Sequence, residues 1–467
     1  MPGQPAPSDL LIDADAMRRP VDEGATRPLA WRLEQLERLE RALNKHEDQA
    51  LAALAADLDK PAVEAFFELV AIRQELALTR RQLRRWMAPR PVPVPLHLRP
   101  GQARTVATPL GCVLIIGPWN YPLQLCLHPL VSALAAGNTA VLKPSEHAPA
   151  TAALIAELIA DAFPPQTVQV VQGDGAVAAR LLEQRFDHIV FTGGERVGKL
   201  VMAAAARHLT PVTLELGGKS PAIVLADADV AVTARRLVWG KSLNSGQTCI
   251  APDHLMVAAS IREPLLKAIR SEIRTFFGDD PVGSSDRGRI INQAQFSRLL
   301  SLLQTAQGRG QVLMGGEHDP ERRRIGLTLL EVRDDDDPLM QEELFGPLLP
   351  VLTVEGLDEA LERVRRGPKP LALYLFSRSR EAATAVLNSS SSGSVGINDV
   401  VYQAGVPALP FGGVGASGIG AYHGQAGFDS LSHRRSVLTR PFWLDLPLRY
   451  PPYDGTLPLL RRLLGRL

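Results

Sequence analysis

Short apolar runs alternate with segments of helical spacing from Gly111 onward, and this alternation is typical of a strand–helix–strand arrangement. The apolar runs predict strands over 112–116, 140–142, 168–171, 189–192 and 212–216. The segments between them predict helices over 122–136, 150–162, 177–182 and 197–207. Because these strands are apolar without interruption, they predict a parallel sheet covered by helices on both faces, a dinucleotide-binding type of architecture.

A second α/β set follows Gly217. Its apolar runs predict strands over 222–225, 254–257, 348–354 and 371–376, and a glycine-rich segment follows them. That segment extends from Phe411 to Gly420. A chain of 467 residues is also too long for one ordinary hydrophobic core. The pattern and the length together predict two or three lobes, each of the α/β class.

The part of the chain before these sets has a different pattern. Residues up to Pro28 are rich in Pro, Asp and Gly without apolar periodicity, so we expect little order there. From Leu29 to Leu43, leucines fall on one helical face, and a second helix carries apolar residues at 63–70 and extends to Trp86. Prolines alternate with other residues over 89–95, which excludes a helix and predicts an extended arm.

Composition and charge narrow the class of protein. The formal net charge is +1, so the protein has no overall field that would attract nucleic acid or an anionic membrane. No apolar run reaches the roughly 18 residues of a membrane span, and the N-terminus lacks the pattern of a signal peptide. Three cysteines are too few for a disulfide framework. We therefore expect a cytoplasmic protein without a stable membrane anchor and without a nucleic-acid partner.

One of the three cysteines stands in a setting that suits chemistry. Cys249 follows the polar, glycine-containing turn Asn244–Thr248, which could hold a thiol near backbone N–H groups and lower its pKa below about 8.5. Cys112 lies inside a predicted strand and Cys126 inside a predicted helix, where cysteine is usually a small core residue. Taken alone, this turn favours a reactive and a structural cysteine equally.

Two further segments carry candidate catalytic groups. Asn120 lies in a proline-bracketed turn at the carboxyl end of a predicted strand, where its amide could donate to an oxyanion or simply stabilise the turn. Glu215 lies on a buried strand, where burial would raise its pKa into the range of a general base. The alternative for Glu215 is an ion pair with Lys219 or another cation.

Taken together, these segments resemble the aldehyde dehydrogenase superfamily in order and spacing from about residue 30 to the C-terminus. The similar segments are Gly117–Pro122, Lys143–Glu146, Phe191–Gly193, Glu215–Lys219, Gly246–Cys249, Glu342–Pro347 and Pro410–Gly413. Within the superfamily the chain looks most like the class 3 group, which oxidises fatty and aromatic aldehydes. The segments that carry this finer resemblance are Gly246–Asp253, Gly418–Gly424 and Trp443–Tyr453.

The resemblance implies a role for each candidate. Cys249 is the nucleophile that attacks the aldehyde carbon, and the Asn120 amide holds the oxyanion together with the Cys249 N–H. Hydride then leaves for a nicotinamide, which produces a thioester, and Glu215 activates the water that releases the acid. A CoA-acylating enzyme is one alternative, although such relatives generally lack a base at the position of Glu215. A structural protein on the same scaffold is the other alternative.

The resemblance also implies NAD as the cofactor, with NADP as a second candidate and no metal. Lys143 and Glu146 would bind the adenosine ribose, unless they form only a surface ion pair. A carboxylate on the ribose favours NAD, because it would repel a 2′-phosphate. The remaining cofactor-binding residues are predicted to be Trp119, Gly193, Gly194, Val197, Glu343 and Phe345. Gly194 replaces the small hydroxyl residue of many relatives, and Glu195 follows it in the first helical turn, so looser pyrophosphate binding is expected.

The same resemblance predicts the domain organisation. Residues 29–88 and 110–215 would form the NAD(P)-binding domain, and residues 216–400 the catalytic domain. Residues 89–109 and 401–453 would form a small β arm that bridges the two subunits of a homodimer. Residues 454–467 would form a C-terminal helix with a leucine stripe, which either packs on the body or covers the substrate tunnel.

Overall fold

The computed structural model describes residues 11–464. Helices and strands alternate along most of this length. The α-helices are α1 Ala14–Asp22, α2 Leu29–Lys45, α3 Glu47–Leu58, α4 Ala62–Met87, α5 Gln124–Ala136, α6 Pro149–Ala162, α7 Gly175–Leu182, α8 Glu195–Ala206, α9 Val230–Ser242, α10 Arg262–Phe277, α11 Gln293–Gly308, α12 Pro338–Gln341, α13 Leu357–Arg366, α14 Arg380–Ser389, α15 Gly424–Ser430 and α16 Thr456–Leu464.

The strands form two large sheets and two small ones in the described part of the chain. They are β1 Arg90–Val92, β2 Gln102–Pro109, β3 Cys112–Ile116, β4 Thr139–Lys143, β5 Val168–Val170, β6 His188–Thr192, β7 Val212–Glu215, β8 Pro221–Val224, β9 His254–Ala258, β10 Val312–Met314, β11 His318–Asp319, β12 Arg324–Ile325, β13 Thr328–Glu331, β14 Leu348–Val354, β15 Ala372–Phe376, β16 Ser394–Ile397, β17 Gly418–Ile419 and β18 Ser432–Thr439. The predicted α/β class is confirmed.

The first large sheet has the strand order β17-β7-β6-β3-β4-β5 and is parallel except for β17. Its strands are buried on both faces, as their uninterrupted apolar sequences predict. Val113 and Ile115 pack on one side with α2, α4, α5 and α6, whereas Leu114 and Ile116 pack on the other side. The five strands predicted before Gly217 all belong to this sheet, so that part of the prediction is confirmed.

The second large sheet has the order β10-β13-β14-β9-β8-β15-β16. The four predicted strands β8, β9, β14 and β15 lie next to one another at its centre, all parallel. Three further strands, β10, β13 and β16, complete the sheet at its edges and were not predicted. The core residues alternate here as well, since Ala222 and Val224 pack on one face and Ile223 on the other.

The proline-rich segment at 89–95 is extended, as predicted, and contributes the short strand β1. This strand pairs antiparallel with β2, and β2 pairs along its whole length with β18. The resulting three-stranded sheet is separate from the two large sheets. Phe442 and Trp443 follow β18 and are 103% and 76% exposed, which is unusual for large apolar side chains.

The N-terminal segment differs from the prediction of little order up to Pro28. That prediction is wrong for residues 11–28, because they include α1, whose Met17 and Val21 are buried. The Asp13 side chain caps this helix by accepting a hydrogen bond from the N–H of Ala16. An apolar face of only a few residues, with Pro20 inside the helix, hid the periodicity. Residues 1–10 lie outside the described residues.

The C-terminal helix predicted over 454–467 is observed as α16, preceded by a turn at 454–455, and residues 465–467 lie outside the described residues. Leu457 and Leu459 are exposed in this single chain, so these two leucines do not pack tightly on the body. Across residues 11–464, none of the helices combines the length and the apolar character that crossing a bilayer requires.

Candidate active site

The turn that carries Asn120 lies at the carboxyl end of β3, where ligands bind in open α/β sheets. Gly117 opens this turn, and a Cβ atom there would lie 2.1 Å from the Cys126 sulfur, so only glycine fits above α5. Asn120 is buried, and its side-chain Nδ2 donates to the carbonyl of Gln247 over 3.1 Å. The Asn120 amide therefore reaches the chain segment that leads to Cys249.

The turn before Cys249 has a strained backbone. Asn244 and Ser245 have positive φ angles of 52° and 55°, and Gly246 follows with 75°. The Gln247 side chain holds this turn by donating to the carbonyl of Asn244 over 3.0 Å and accepting from the N–H of Ile291 over 3.0 Å. Such strain persists only where the surroundings fix it, as they commonly do at functional sites.

A buried glutamate from a distant helix also holds this turn. The carboxylate of Glu64, in the first turn of α4, accepts a hydrogen bond of 2.8 Å from the N–H of Asn244. Burial raises the pKa of Glu64 to about 7, and this hydrogen bond opposes the shift in part. No sequence pattern pointed to Glu64, because the two residues are 180 positions apart.

The structure places Cys112 and Cys126 in the core and Cys249 at a cavity, as the sequence predicts. The expected lowering of the Cys249 pKa is wrong. Cys112 and Cys126 are fully buried core residues, whereas Cys249 is partly exposed. Burial raises the pKa of the Cys249 thiol well above its ordinary value, and the carboxylates of Glu215 and Glu343 raise it further. The backbone N–H groups lower it only in part. The lowered pKa expected from the turn alone is thus overturned by burial and two carboxylates.

Glu215 ends β7 and is buried, without the ion pair that the sequence left open. Lys219 instead pairs with Asp253. Burial raises the pKa of Glu215 well above its usual range, and the backbone N–H of Gly413 opposes this shift. Neither carboxylate oxygen makes a hydrogen bond of ordinary geometry within residues 11–464. A buried carboxyl group without a partner is costly, so its retention favours a functional role.

The glycine-rich segment explains how Glu215 is enclosed. Gly418 in β17 pairs directly with Glu215, and a Cβ atom on Gly418 would lie 2.2 Å from the carbonyl oxygen of Leu214. Gly413 approaches the backbone of Ser417 equally closely, since a Cβ atom there would lie 2.0 Å from its carbonyl oxygen. Glycine at Gly413 lets the segment fold closely on itself, and glycine at Gly418 lets it pack against β7 beside Glu215.

A fourth segment supplies Glu343 and Phe345. The Phe345 ring meets the Trp119 ring edge to face, with 5.3 Å between the ring centroids. Arg298 donates to the carbonyl of Leu344 over 2.6 Å, and Asp253 accepts from the Leu344 N–H over 2.9 Å. Burial raises the pKa of the Glu343 carboxyl to about 8. Glu343 is thus a fixed, desolvated carboxylate beside an aromatic pair.

These four segments and the end of β6 meet around one cavity of about 230 Å³. Most of the predicted site residues line it, namely Trp119, Asn120, Gly193, Gly194, Glu215, Cys249, Glu343 and Phe345. Lys143, Glu146 and Val197 are not among its lining residues. Its wall also includes Thr192 and Gln295, which the sequence did not single out. Gln295 comes from α11, far along the chain, and no local pattern marks it.

The end of the cavity at Gly193 and Gly194 suits a phosphate group. Gly194 is the N-terminal cap of α8 and has no side chain to occupy the free N–H groups of the first turn. A Cβ atom added at Gly194 would meet no atom within 4 Å, so the space before the helix is open. Glu195 forms an ion pair of 2.6 Å with Lys199, which offsets its charge. The hydroxyl of Thr192 is buried beside them without a partner in the described chain.

Lys143 and Glu146 form the ion pair that the sequence left as the alternative to cofactor binding. Their side chains lie 2.8 Å apart, with Lys143 buried at the end of β4 and Glu146 34% exposed. The Lys143 ammonium and hydrogen bonds outweigh partial burial and lower the pKa of Glu146. The exposed side of the Glu146 carboxylate can still accept hydrogen bonds from a sugar, so the pair is compatible with both interpretations. Val197 lies in α8 and is 38% exposed.

Known proteins resemble this chain over most of its length. The model of the aldehyde dehydrogenase family matches residues 11–437. The chain belongs to this family. Human aldehyde dehydrogenase family 3 member B1 is 47% identical over 439 residues, which cover 93% of each protein. The rat "aldehyde dehydrogenase, dimeric NADP-preferring" is 43% identical over 94% of this chain and 97% of its own length.

A solved structure similar to this chain belongs to the same family as the relatives. The substrate-bound state of Staphylococcus aureus AldH matches with a TM-score of 0.93 at 40% identity, and the match covers 96% of this chain and 98% of that one. The predicted aldehyde dehydrogenase fold and the class 3 resemblance are therefore confirmed. This aldehyde dehydrogenase is an oxidoreductase of the NAD(P)-dependent family, as predicted.

Proposed function

We propose that this enzyme oxidises apolar aldehydes, fatty aldehydes above all and aromatic ones second, to carboxylic acids. Cys249 is the nucleophile, Asn120 the oxyanion donor and Glu215 the general base. The observation that supports this most strongly is that one cavity combines all three with Glu343. Each residue comes from a different segment of the chain, so their meeting is not a consequence of sequence proximity.

The residues present fit an NAD(P) cofactor. The open N-terminus of α8 suits the pyrophosphate, and so does the Thr192 hydroxyl, which has no partner among residues 11–464. Glu343 suits a ribose hydroxyl, and the Trp119–Phe345 pair suits the edge of a flat ring. When bound, the cofactor supplies the acceptor for the hydride. The open space at Gly194 supports a backbone-only phosphate contact there.

The chain's own residues carry the remaining steps. The Cys249 thiol first gives its proton to a base. The resulting thiolate then forms a bond to the aldehyde carbon, and the electron pair of the carbonyl π bond moves to the oxygen. The Asn120 amide and the Cys249 N–H donate to that oxyanion. When the carbonyl reforms, the C–H pair leaves as hydride and a thioester remains. Glu215 then takes a proton from water, the hydroxyl adds to the thioester carbon, and the Cys249 sulfur leaves with the electron pair of its bond.

The preference for apolar aldehydes rests on what surrounds the thiol. Cys249 packs against the same apolar cluster as Tyr121, Trp239 and Val401. Trp239 stacks on Tyr402, with 5.2 Å between the ring centroids, and Tyr402 is 63% exposed. A thiol that shares an apolar cluster with a partly exposed aromatic pair suits a substrate tail of hydrocarbon or a phenyl ring.

A panel of aldehydes tests the substrate and the reaction together. We expect kcat/KM to rise with the length of straight-chain alkanals, by up to about 0.8 kcal/mol per buried methylene. Benzaldehyde should be accepted, and the product should be the free acid whether or not CoA is present. NADH formation and product mass spectrometry give both answers. An acyl-CoA product would instead identify a CoA-acylating enzyme, and a flat length series would contradict the fatty-aldehyde preference.

We propose NAD as the preferred cofactor, and Glu146 is the residue that tests it. Replacing Glu146 with Ser is expected to raise KM for NAD and lower KM for NADP, because the change removes a carboxylate that would repel a 2′-phosphate. Specificity constants for both cofactors on both proteins provide the measurement. If their ratio is unchanged, another group reads the ribose, and Lys143–Glu146 is a structural ion pair. The rat relative is named NADP-preferring, so the two specificity constants also show whether this chain differs from that relative in its cofactor.

We further propose a cytoplasmic homodimer. The exposed Phe442 and Trp443 continue from β18, next to the free edge of the three-stranded sheet. Burying them against a second copy would remove a large apolar surface from water. The rat relative is named dimeric, which supports the same arrangement. The three free thiols suit a reducing compartment.

A further inference from the structure

A fully buried ion pair lies beneath the turn that carries Asn120. Lys60 precedes α4 and Glu68 lies in its second turn, and both side chains are 0% exposed. Removing two charges from water is costly unless each finds several partners. The partners of this pair are therefore informative about why the chain retains it.

Each member of the pair contacts the Asn120 turn from a different side. The Lys60 ammonium donates to the carbonyl of Asn120 over 2.9 Å and lies 4.0 Å from the centre of the Tyr121 ring. The Glu68 carboxylate accepts from the backbone N–H groups of Leu123 and Gln124, over 3.2 Å and 3.0 Å. The pair thus fixes the turn at Asn120 and at the start of α5.

The same turn is tied directly to the segment that carries Cys249. The Asn244 side chain donates to the Asn120 carbonyl over 2.7 Å, so that oxygen accepts from two donors. The Asn120 side chain in turn donates to the Gln247 carbonyl. Small displacements of the turn would therefore change the direction of the Asn120 amide relative to the Cys249 sulfur.

We infer that Lys60 and Glu68 are positioning residues, which orient the Asn120 amide for the oxyanion formed during aldehyde oxidation. This inference rests on the role of Asn120 in the proposed function. An oxyanion donor must be held within a few tenths of an ångström to be effective. Directional hydrogen bonds from a buried ion pair on a long helix provide that precision, whereas a short surface turn alone would not.

Single substitutions give the first test. Lys60→Met is expected to lower kcat by about 10- to 100-fold, because the Asn120 carbonyl loses a donor and the turn shifts. KM for NAD should change little. Alkylation of Cys249 by iodoacetamide should proceed at the parent rate, because displacement of iodide forms no oxyanion. A fall in both rates, or in neither, would overturn the inference.

Glu75→Gln is a matched control for Glu68→Gln. Glu75 is equally buried on the same helix, and it accepts the N–H of Gly424 rather than a group of the Asn120 turn. Both changes exchange a buried carboxylate for an amide. We expect melting temperatures to change in both variants and kcat to fall only in Glu68→Gln. Equal losses of kcat would mean that the Lys60–Glu68 pair is merely structural.

The double variant Lys60→Met/Glu68→Leu keeps the test decisive if a single variant fails to fold. Replacing both members of a buried pair by apolar residues of similar volume is often neutral for stability. We expect this protein to fold and melt like the parent but to stay as slow as Lys60→Met. Recovery of the parent kcat together with stability would overturn the inference.

A double-mutant cycle with Asn120→Ala separates this inference from the proposed function. If the pair acts through Asn120, Lys60→Met should cost no further activity once Asn120 is alanine. Equal losses in both backgrounds would overturn the inference alone. An Asn120→Ala enzyme with the parent kcat would instead overturn the oxyanion role in the proposed function.

Discussion

Cys249→Ala is expected to lower aldehyde oxidation by at least about 10³-fold, because no carbon–sulfur bond can then form to the substrate. The change removes one sulfur atom from a partly exposed position, so folding and cofactor binding should remain. Initial rates of NADH formation give the loss of activity. Quenching of tryptophan fluorescence follows cofactor binding separately, because Trp119 lines the same cavity.

Cys112→Ala provides the matched control for this prediction. Burial raises the pKa of the Cys112 thiol to about 12, and the residue lies inside β3 as part of the core. This variant should lose some stability and keep the parent kcat, because the sulfur has only a packing role. If Cys112→Ala is the inactive protein and Cys249→Ala keeps more than trace activity, the assignment of the nucleophile is wrong.

Most strands that are buried on both faces could be predicted from the sequence, although β13 was missed even though its first three residues are buried. The strands β3, β4 and β6 are mostly apolar runs, so they can be recognised in the sequence. The strands β10 and β16 are only three and four residues long and are largely half-buried, so their sequences show too little periodicity to be recognised. Pairing with a neighbouring strand, rather than local pattern, makes them strands.

The long helix α4 shows where pattern reasoning selects the wrong face. The apolar residues that the sequence pattern selected include Phe66 and Phe67, which are 38% and 44% exposed, whereas Glu68 and Glu75 are buried. From hydrophobicity alone, the two phenylalanines would be expected to be buried and the two glutamates exposed. The reversal arises because the two glutamates bind backbone groups of segments far away in sequence, which no local window includes.

The chemistry of the site was predictable in its parts but not in its electrostatics. The turns that carry Asn120 and Cys249 are recognisable because glycine and proline shape them locally. The pKa of Cys249 is different, since it depends on burial and on carboxylates that arrive from β7 and from the segment before β14. The free thiol is therefore harder to ionise than its turn suggests, and forming a thiolate requires a proton acceptor nearby.

Glu215→Gln is expected to separate the two halves of the reaction. An amide cannot take a proton from water, so hydrolysis of the thioester should become slow while hydride transfer continues. The expected result is a burst of NADH close to one per active site, followed by a slow steady state. Rapid-mixing absorbance measures the burst, and mass spectrometry of quenched enzyme should detect the acyl group on Cys249.

The pH dependence of the melting temperature provides an independent control for the Glu215→Gln variant. The pKa of Glu215 is raised in the folded protein, so the folded state holds this proton more tightly than the unfolded chain does. The resulting contribution to stability is present below the ordinary pKa of a glutamate and is lost as the pH rises toward the folded pKa. Glu215→Gln lacks this loss, so it should melt above the parent at pH 8. A variant that melts lower would have a damaged fold, and its kinetics would not report on catalysis.

The kinetics of a stable Glu215→Gln protein then distinguish two roles for the carboxylate. A full burst at the parent rate assigns Glu215 to hydrolysis alone. A slow burst means that Glu215 also accepts the proton of the Cys249 thiol, which is the acceptor that the raised pKa of that thiol requires. Absence of both a burst and a trapped acyl group would count against a purely deacylating role. Since Glu215 and Cys249 line one cavity, and the Glu215 carboxylate raises the pKa of the Cys249 thiol, the slow burst is the outcome that the electrostatics favour.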